Sequence, residues 1–410
     1  MANVILSDVI DIISGGTPKT SESKYWSGGN IDWLSINDFN NGNRFVYSSE
    51  KKITELALKE SNIKLLNKGD VIISARGTVG VLAQIGKPMC FNQSCFGLRG
   101  KKELIDNDFL YYVLKNYIHN LKKKSQGSVF DTINIKSFDL MEIDIPNYAS
   151  QCDIASVLSV LDQKIELNNR INAELEAMAK TLYDYWFVQF DFPNEDGKPY
   201  KSSGGKMVYN SILKREIPEG WETNTIAQVF STSLGGTPST HNKDYWHNAD
   251  IHWISSAETT FFPIISSEQK ITLKGLEHSA ACLLPKGTVV ISIVRYIRPS
   301  ILGVDAATNQ SVVGIKETDI FKSSFIYPYL CGEVPKFMAL RTGAQQPHIN
   351  KKVIDDNIII IPINSVLELY YKIANPIFDK IMTVAFENKH LIELRDFLLP
   401  MLMNGQVTVK

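Results

Sequence analysis

Between Ser150 and Phe187 the apolar residues return at intervals of four and three. Ile154, Leu158, Leu161, Ile165, Leu175, Ala179, Leu182 and Trp186 share one seam, with Asn168 and Asn172 in its middle slots. A sustained pattern of this kind marks a helix that packs lengthwise on another helix. No Pro or Gly interrupts it, and at about 1.5 Å per residue the seam spans roughly 50 Å. A matching seam runs near the C-terminus through Ile377, Ile381, Val384, Asn388, Leu391, Arg395, Leu398 and Leu402. Aligned, Lys164-Ile165 fall on Lys380-Ile381, Asn172 on Asn388, Leu175 on Leu391 and Leu182 on Leu398. Pro376 is expected to disturb the first turns of the second helix, since it lacks an N–H and clashes with the preceding turn. Pro400 and Gly405 mark its end. A buried Asn weakens such a seam but fixes its register. The plainer alternative is two ordinary core helices.

The helices are the tail of a longer duplication. Gly15, Thr17, Pro18, Thr20, Tyr25, Trp26, Ile31, Trp33 and Ser35 recur as Gly235, Thr237, Pro238, Thr240, Tyr245, Trp246, Ile251, Trp253 and Ser255. Leu65–Ser74 matches Leu283–Ser292, Asn92-Gln93-Ser94 matches Asn309-Gln310-Ser311, and Ile133-Asn134 matches Ile349-Asn350. One long colinear period means two tandem domains, not a solenoid. Each copy reads as a mixed α/β globule followed by its helix. The turn Lys68-Gly69-Asp70 leads into Val71–Ser74, a buried strand. Residues 106–121 form a helix, and its counterpart in copy two is expected to be broken by Pro328 and Pro335. Pro, Gly, Ser and charge mark Phe190–Glu222 as a linker or exposed hairpin. The expected class is α+β, two similar mixed α/β domains with a pair of long helices, which if antiparallel give the repeat a pseudo-twofold axis. The expected spans are 1–149, 150–188 for the first helix, 189–217 for the linker, 218–363, and 364–405 for the second helix.

Composition narrows the classes. The chain has 410 residues, 44% hydrophobic and 21% charged, with a formal net charge of −1. The start MANVILSDVI lacks a basic, then apolar, signal pattern, and no apolar run approaches a membrane span. Cys90, Cys95, Cys152, Cys282 and Cys331 are few and odd in number, fitting reduced thiols in a cytoplasm. A neutral sum leaves nucleic-acid binding open, because local placement of charge decides it.

Two equal globules joined by matched helices give one chain the symmetry of a dimer. That suits a ligand with two sites at a set interval, and duplex DNA is the obvious one. The repeated Gly-Gly-Thr-Pro…Tyr-Trp…Trp segments, the Lys-Gly…Ile-Ser segments, the Asn-Gln-Ser motifs and the paired helices resemble the specificity subunit of type I restriction–modification systems. Residues 189–208, 217–222 and 394–407 resemble segments of that family too, so the likeness runs from Val4 to Val407. It implies a target-recognition domain in each globule, together reading a bipartite, asymmetric site. It also implies a helical spacer that docks two methyltransferase subunits, joined by restriction/translocase subunits. No catalysis is implied on this chain: S-adenosylmethionine, ATP and Mg would belong to the partners.

Candidate DNA contacts follow from residue chemistry. The repeated aromatics are expected to hold a common core, so their unshared neighbours are better readers: Lys19, Lys24, Ser27 and Asn37 in copy one, His241, Lys243 and His247 in copy two. Arg76 and Thr78 follow one matched strand, and Arg295, Tyr296 and Arg298 the other. An Arg there can reach guanine with two hydrogen bonds or contact phosphate. The shared Asn92, Gln93, Asn309 and Gln310 fit backbone or phosphate better than base discrimination. Lys122, Lys123, Lys124 and Gln126, and in copy two Arg341, Gln345, Gln346 and His348, can neutralise phosphates or form a solvated face. The outward helix faces, Asn169 and Lys180 among them, are expected to meet a methyltransferase.

Other chemistries fare worse. His241, His247 and His252 cluster, but copy one has Ser21, Ser27 and Asp32 in their place, so no metal is expected. No phosphate-cradling GxxxxGK[ST] loop occurs. Asn375-Pro376-Ile377-Phe378 faintly resembles an aminomethyltransferase tetrapeptide but sits in the helix without a cofactor loop. The rival function is a scaffold or inhibitory protein bridging two identical partners without reading DNA. Divergent loops on a shared frame argue against it.

Overall fold

The computed structural model describes residues 1–124, 132–343, 345 and 347–409, apart from the side chains of 122–124. The chain divides into two compact units, Met1–Leu167 with Lys389–Lys410, and Asn168–Asn388.

In unit 1 a five-stranded sheet has the order Ile10–Ser14, Cys95–Gly100, Val71–Ser74, Leu82–Ile85, Phe45–Val46. A second sheet runs Lys51–Ile53, Ile31–Leu34, Met89–Phe91, Leu65–Leu66. Ala2–Ile5 pairs antiparallel with Glu142–Ile145. The β-branched run Val71–Ser74 is central and wholly buried, which is why it reads as continuous apolar residues and not as alternation. Gly69 enters it at φ +90°, a left-handed turn that glycine adopts without strain.

Unit 2 repeats the plan. Thr232–Leu234, Val312–Ile315, Val289–Ser292 and Pro299–Ile301 form one sheet, and Gln269–Ile271, Ile251–Ile254 and Ala306–Thr308 the other. Trp33 pairs in parallel with Cys90, and Trp253 with Ala307. Gly287 takes φ +91° at the counterpart of Gly69. The segment after the first long helix does contain a hairpin, Met207–Asn210 with Arg215–Pro218. It is not a loose linker, because Phe190, Phe192 and Trp221 are buried in the unit 2 core.

The long helices are Tyr148–Tyr183, extended by a π-turn through Val188, and Asn364–Met403. Two expectations about proline are corrected. The second long helix runs unbroken through Pro376 and Pro400, and the helix Ser323–Ala339 runs through Pro328 and Pro335. Each proline orphans the carbonyl four residues earlier. At Pro376 and Pro400 those residues, Lys372 and Asp396, are exposed, so water can take the bond. At buried Pro328 the orphan is the Ser324 carbonyl, and the Tyr370 hydroxyl donates to it at 2.9 Å.

The long helices pack on each other within each unit. In unit 2, Asn168 Nδ2 donates to Glu387 Oε2 at 2.9 Å and Asn172 Nδ2 to the Ile381 carbonyl at 3.3 Å. Numbers rise on one helix as they fall on the other, so the pairing is antiparallel. Asn388 Nδ2 donates to Asn169 Oδ1 at 2.8 Å. Asn169 therefore serves the seam and is not a purely outward residue.

In unit 1 the helices meet through buried charge. Arg395 Nη1 lies 2.8 Å from Asp162 Oδ1, with both side chains nearly buried. The Tyr112 hydroxyl donates to Asp162 Oδ2 at 2.6 Å. Arg44, just before the strand Phe45–Val46, donates to Tyr112 at 2.9 Å and to Ser159 and Gln84 at 2.5 Å, and pairs with Asp108 at 2.7 Å. Burial opposes the Arg395 charge, yet Asp162 and Asp396 hold its pKa above the ordinary value. At the matched positions of unit 2, Asp162 becomes Phe378 and Arg395 becomes Ala179, both in one apolar cluster. Where unit 1 has Arg44, unit 2 has Phe262, stacked on Tyr327 at 4.2 Å.

Removing one partner of a buried ion pair strands the other charge, at a cost of about 3 kcal/mol or more. Arg395→Ala and Asp162→Phe should each lower stability in denaturant titrations by about that amount. The double variant, which copies unit 2, should lose clearly less than the sum of the two. Strict additivity would show that the pair does not act as a unit.

Candidate nucleic-acid interface

In unit 2, four segments converge at the end of the strand Val289–Ser292. The Ile293 N–H donates to the Ser311 carbonyl at 2.9 Å, which brings in the Asn309-Gln310-Ser311 loop. The Arg295 N–H donates to the Pro347 carbonyl at 2.8 Å, and the Ile349 N–H to the Ile293 carbonyl at 2.9 Å. Thr237 donates to Gln310, tying in the Gly-Gly-Thr-Pro segment. The Asn309 side chain accepts the Ser311 N–H at 3.0 Å and so shapes its own turn.

Unit 1 builds the same cluster. The Ala75 N–H donates to the Ser94 carbonyl at 2.8 Å, and the Ile133 N–H to the Ala75 carbonyl at 2.9 Å. Thr17 donates to Gln93, and Asn92 accepts the Ser94 N–H at 3.1 Å. The repeated polar residues are thus spent on joining loops, each hydrogen bond in a turn contributing about 1 kcal/mol. What varies around the shared joints is exposed: Arg76 and Thr78 in unit 1, and Arg295, Tyr296, Arg298, Gln345 and His348 in unit 2. Gln93 and Gln310 are exposed as well. Lys122, Lys123, Lys124, Gln126 and Gln346 lie outside the described residues or side chains.

Lys24 forms an ion pair with Glu60 at 2.8 Å, and Glu60 raises its pKa while Lys24 lowers that of Glu60. The Ser27 hydroxyl lies 2.9 Å from that of Ser23. Lys19, Asn37, His241, Lys243 and His247 are exposed. No group of three or more His, Cys, Asp or Glu suited to a metal occurs among the described residues. Burial raises the Cys90 and Cys95 thiols to about 12, so neither is a nucleophile at neutral pH.

The repeated tryptophans are framework. Trp33 Nε1 donates to the Gly16 carbonyl at 2.9 Å and Trp253 Nε1 to the Gly236 carbonyl at 3.0 Å. Trp26 meets Trp33 edge-on at 5.3 Å, and Trp246 meets Trp253 at 5.2 Å. The Arg44 network was missed by sequence reasoning. Its sequence trace is Arg395, the one charged residue of the second seam.

The family model for the type I restriction modification DNA specificity domain matches residues 1–177 and again 218–394. The chain belongs to that family. It is the DNA-specificity subunit of a type I restriction–modification system. A relative, the type I restriction enzyme MjaIX specificity subunit of Methanocaldococcus jannaschii, is 28% identical over 99% of this chain and 93% of its own. The HindI specificity subunit of Haemophilus influenzae is 24% identical over 69% of this chain and 73% of its own. A solved type I S subunit from M. genitalium has the same fold, with TM-score 0.56 at 15% identity, covering 98% of this chain and 96% of that one. A specificity subunit is the non-catalytic chain of its complex, and the cofactors of the reaction belong to the methyltransferase and restriction subunits. No helix among the described residues is long and apolar enough to cross a membrane.

Trp33→Ala should destabilise the folded chain by about 3–5 kcal/mol in denaturant titration, as a buried framework residue would. A variant of wild-type stability that loses DNA affinity would instead make Trp33 a reader.

Proposed function

We propose that each unit reads one half of a bipartite, asymmetric duplex DNA site, and that the paired helices set the interval between the halves. The observation that carries this reading is the convergence of equivalent loops in both units, joined by identical hydrogen bonds and bearing unlike exposed side chains. A shared frame with divergent tips suits two different half-sites. Exposed Arg76, Arg295 and Arg298 can contact guanine or phosphate. Lys122, Lys123 and Lys124 would add sequence-independent phosphate contacts.

The long helices also carry exposed apolar side chains: Val160, Leu394 and Phe397 in unit 1, and Met178, Leu369 and Ile373 in unit 2. Apolar groups grouped on a surface mark a place for a protein partner. We read them as docking surfaces for methyltransferase subunits, one per copy, with restriction/translocase subunits joining the assembly. The docked methyltransferases would flip the target base out of the stack. The working compartment is then the cytoplasm, where the DNA lies.

Methylome sequencing of cells with and without this chain tests the reading. We expect a two-part motif, with a fixed unspecified spacer, that vanishes on deletion. A continuous motif, or no change, would contradict it. Phe397→Asp should impair copurification of the methyltransferase while leaving the thermal melt within a few degrees of wild type. Unimpaired assembly would remove that face from the docking surface.

A further inference from the structure

Corresponding loops follow the strands Val71–Ser74 and Val289–Ser292. In unit 1 the Ser74 hydroxyl donates to the Thr78 carbonyl at 2.5 Å, and in unit 2 the Ser292 hydroxyl donates to the Tyr296 carbonyl at 2.5 Å. The two loops therefore share the turn that runs from this serine to the fourth residue after it. Gly77 fills the left-handed slot of the first at φ +74°, and Arg295 fills that of the second at φ +56°. A long side chain in a slot that suits glycine is disfavoured, and such a residue persists only where its surroundings over-determine it.

The surroundings do so here. The Arg295 N–H donates to the Pro347 carbonyl at 2.8 Å. Its own carbonyl accepts from Arg341 Nη1 at 2.7 Å, while Arg341 Nε donates to the Met338 carbonyl at 3.0 Å. Arg341 is thus a clamp on the loop more than a surface cation. Ile297 anchors the far side at 2% exposure. The side chains left outward are Arg295, Tyr296 and Arg298, with Tyr296 66% exposed and the Arg298 guanidinium 5.6 Å from its ring centre. Among the described residues no carboxylate pairs with Arg295 or Arg298. A rigid loop that holds an unneutralised guanidinium in solvent has the form of a base-reading element, because a bidentate contact to the guanine O6 and N7 needs a fixed donor fork.

We propose that Arg295 is a specificity-determining residue that reads a guanine in the half-site of unit 2, positioned by Arg341 from behind. This rests on the two-half-site reading above. It assigns the asymmetry of the site in part to one slot, which carries glycine in unit 1 and arginine in unit 2.

The slot allows an unusual test. Arg295→Gly relieves the backbone and removes only the reader, so the chain should melt at or above the wild-type temperature. Methylome sequencing with the methyltransferase present should show one guanine position of one half-site becoming degenerate, with the other half-site intact. Affinity of the assembled complex for a duplex carrying the wild-type motif should fall roughly ten- to a hundredfold. Arg295→Lys keeps the charge without the fork and should not restore that guanine. An unchanged motif and affinity in Arg295→Gly would overturn the proposal. So would full rescue by lysine, which would make Arg295 a phosphate contact. A wild-type chain that yields no two-part motif would overturn the functional reading itself, and is distinguished by needing no variant.

Discussion

The structure depends on the packing of one long helix against its duplicate. Each helix presents a strip of branched apolar side chains that a lone helix would leave in water, and burying them is the main driving force. Asparagines at the middle slots give up some of that burial. In exchange the Nδ2 groups of Asn168, Asn172 and Asn388 bond to specific groups on the opposite helix, and a shifted register would take those partners away from buried donors. Register is what a spacer must keep constant, so placing polar groups there is consistent with a spacing role.

The duplication is closer in backbone than in chemistry. Unit 1 joins sheet to helices through Arg44, Tyr112, Asp162 and Arg395, while unit 2 does so with Phe262, Tyr327, Phe378 and Ala179. Both solutions fill the same junction. Buried ion pairs and apolar packing are near alternatives in energy when each is complete, whereas half of either is poor. Copies that drift apart must therefore change several residues together. The same logic governs the loops, where serine, asparagine, glutamine and threonine joints stay and the exposed tips between them differ.

Much of this was legible beforehand, and the exceptions are instructive. Period revealed the helices, and the colinear motifs revealed the repeat, because both depend on chain-local patterns. The framework role of Trp33 and Trp253 followed from their recurrence. Proline misled: whether Pro328 breaks a helix depends on a hydroxyl from Tyr370, distant in sequence. Arg44, in a polar loop sequence, gave no hint that it would be buried among tyrosines. Arg341, a candidate phosphate contact, donates to the Arg295 and Met338 carbonyls. Lys24, a candidate reader, is paired with Glu60. In each case the deciding partner lies far along the chain.

The most direct test of two readers on one chain is dimethyl sulfate interference with the assembled specificity–methyltransferase complex on a duplex that it methylates. The account predicts two separate clusters of guanines whose modification blocks binding, divided by a stretch of constant length in which modification is tolerated. A single unbroken cluster, or interference confined to one end of the site, would contradict it.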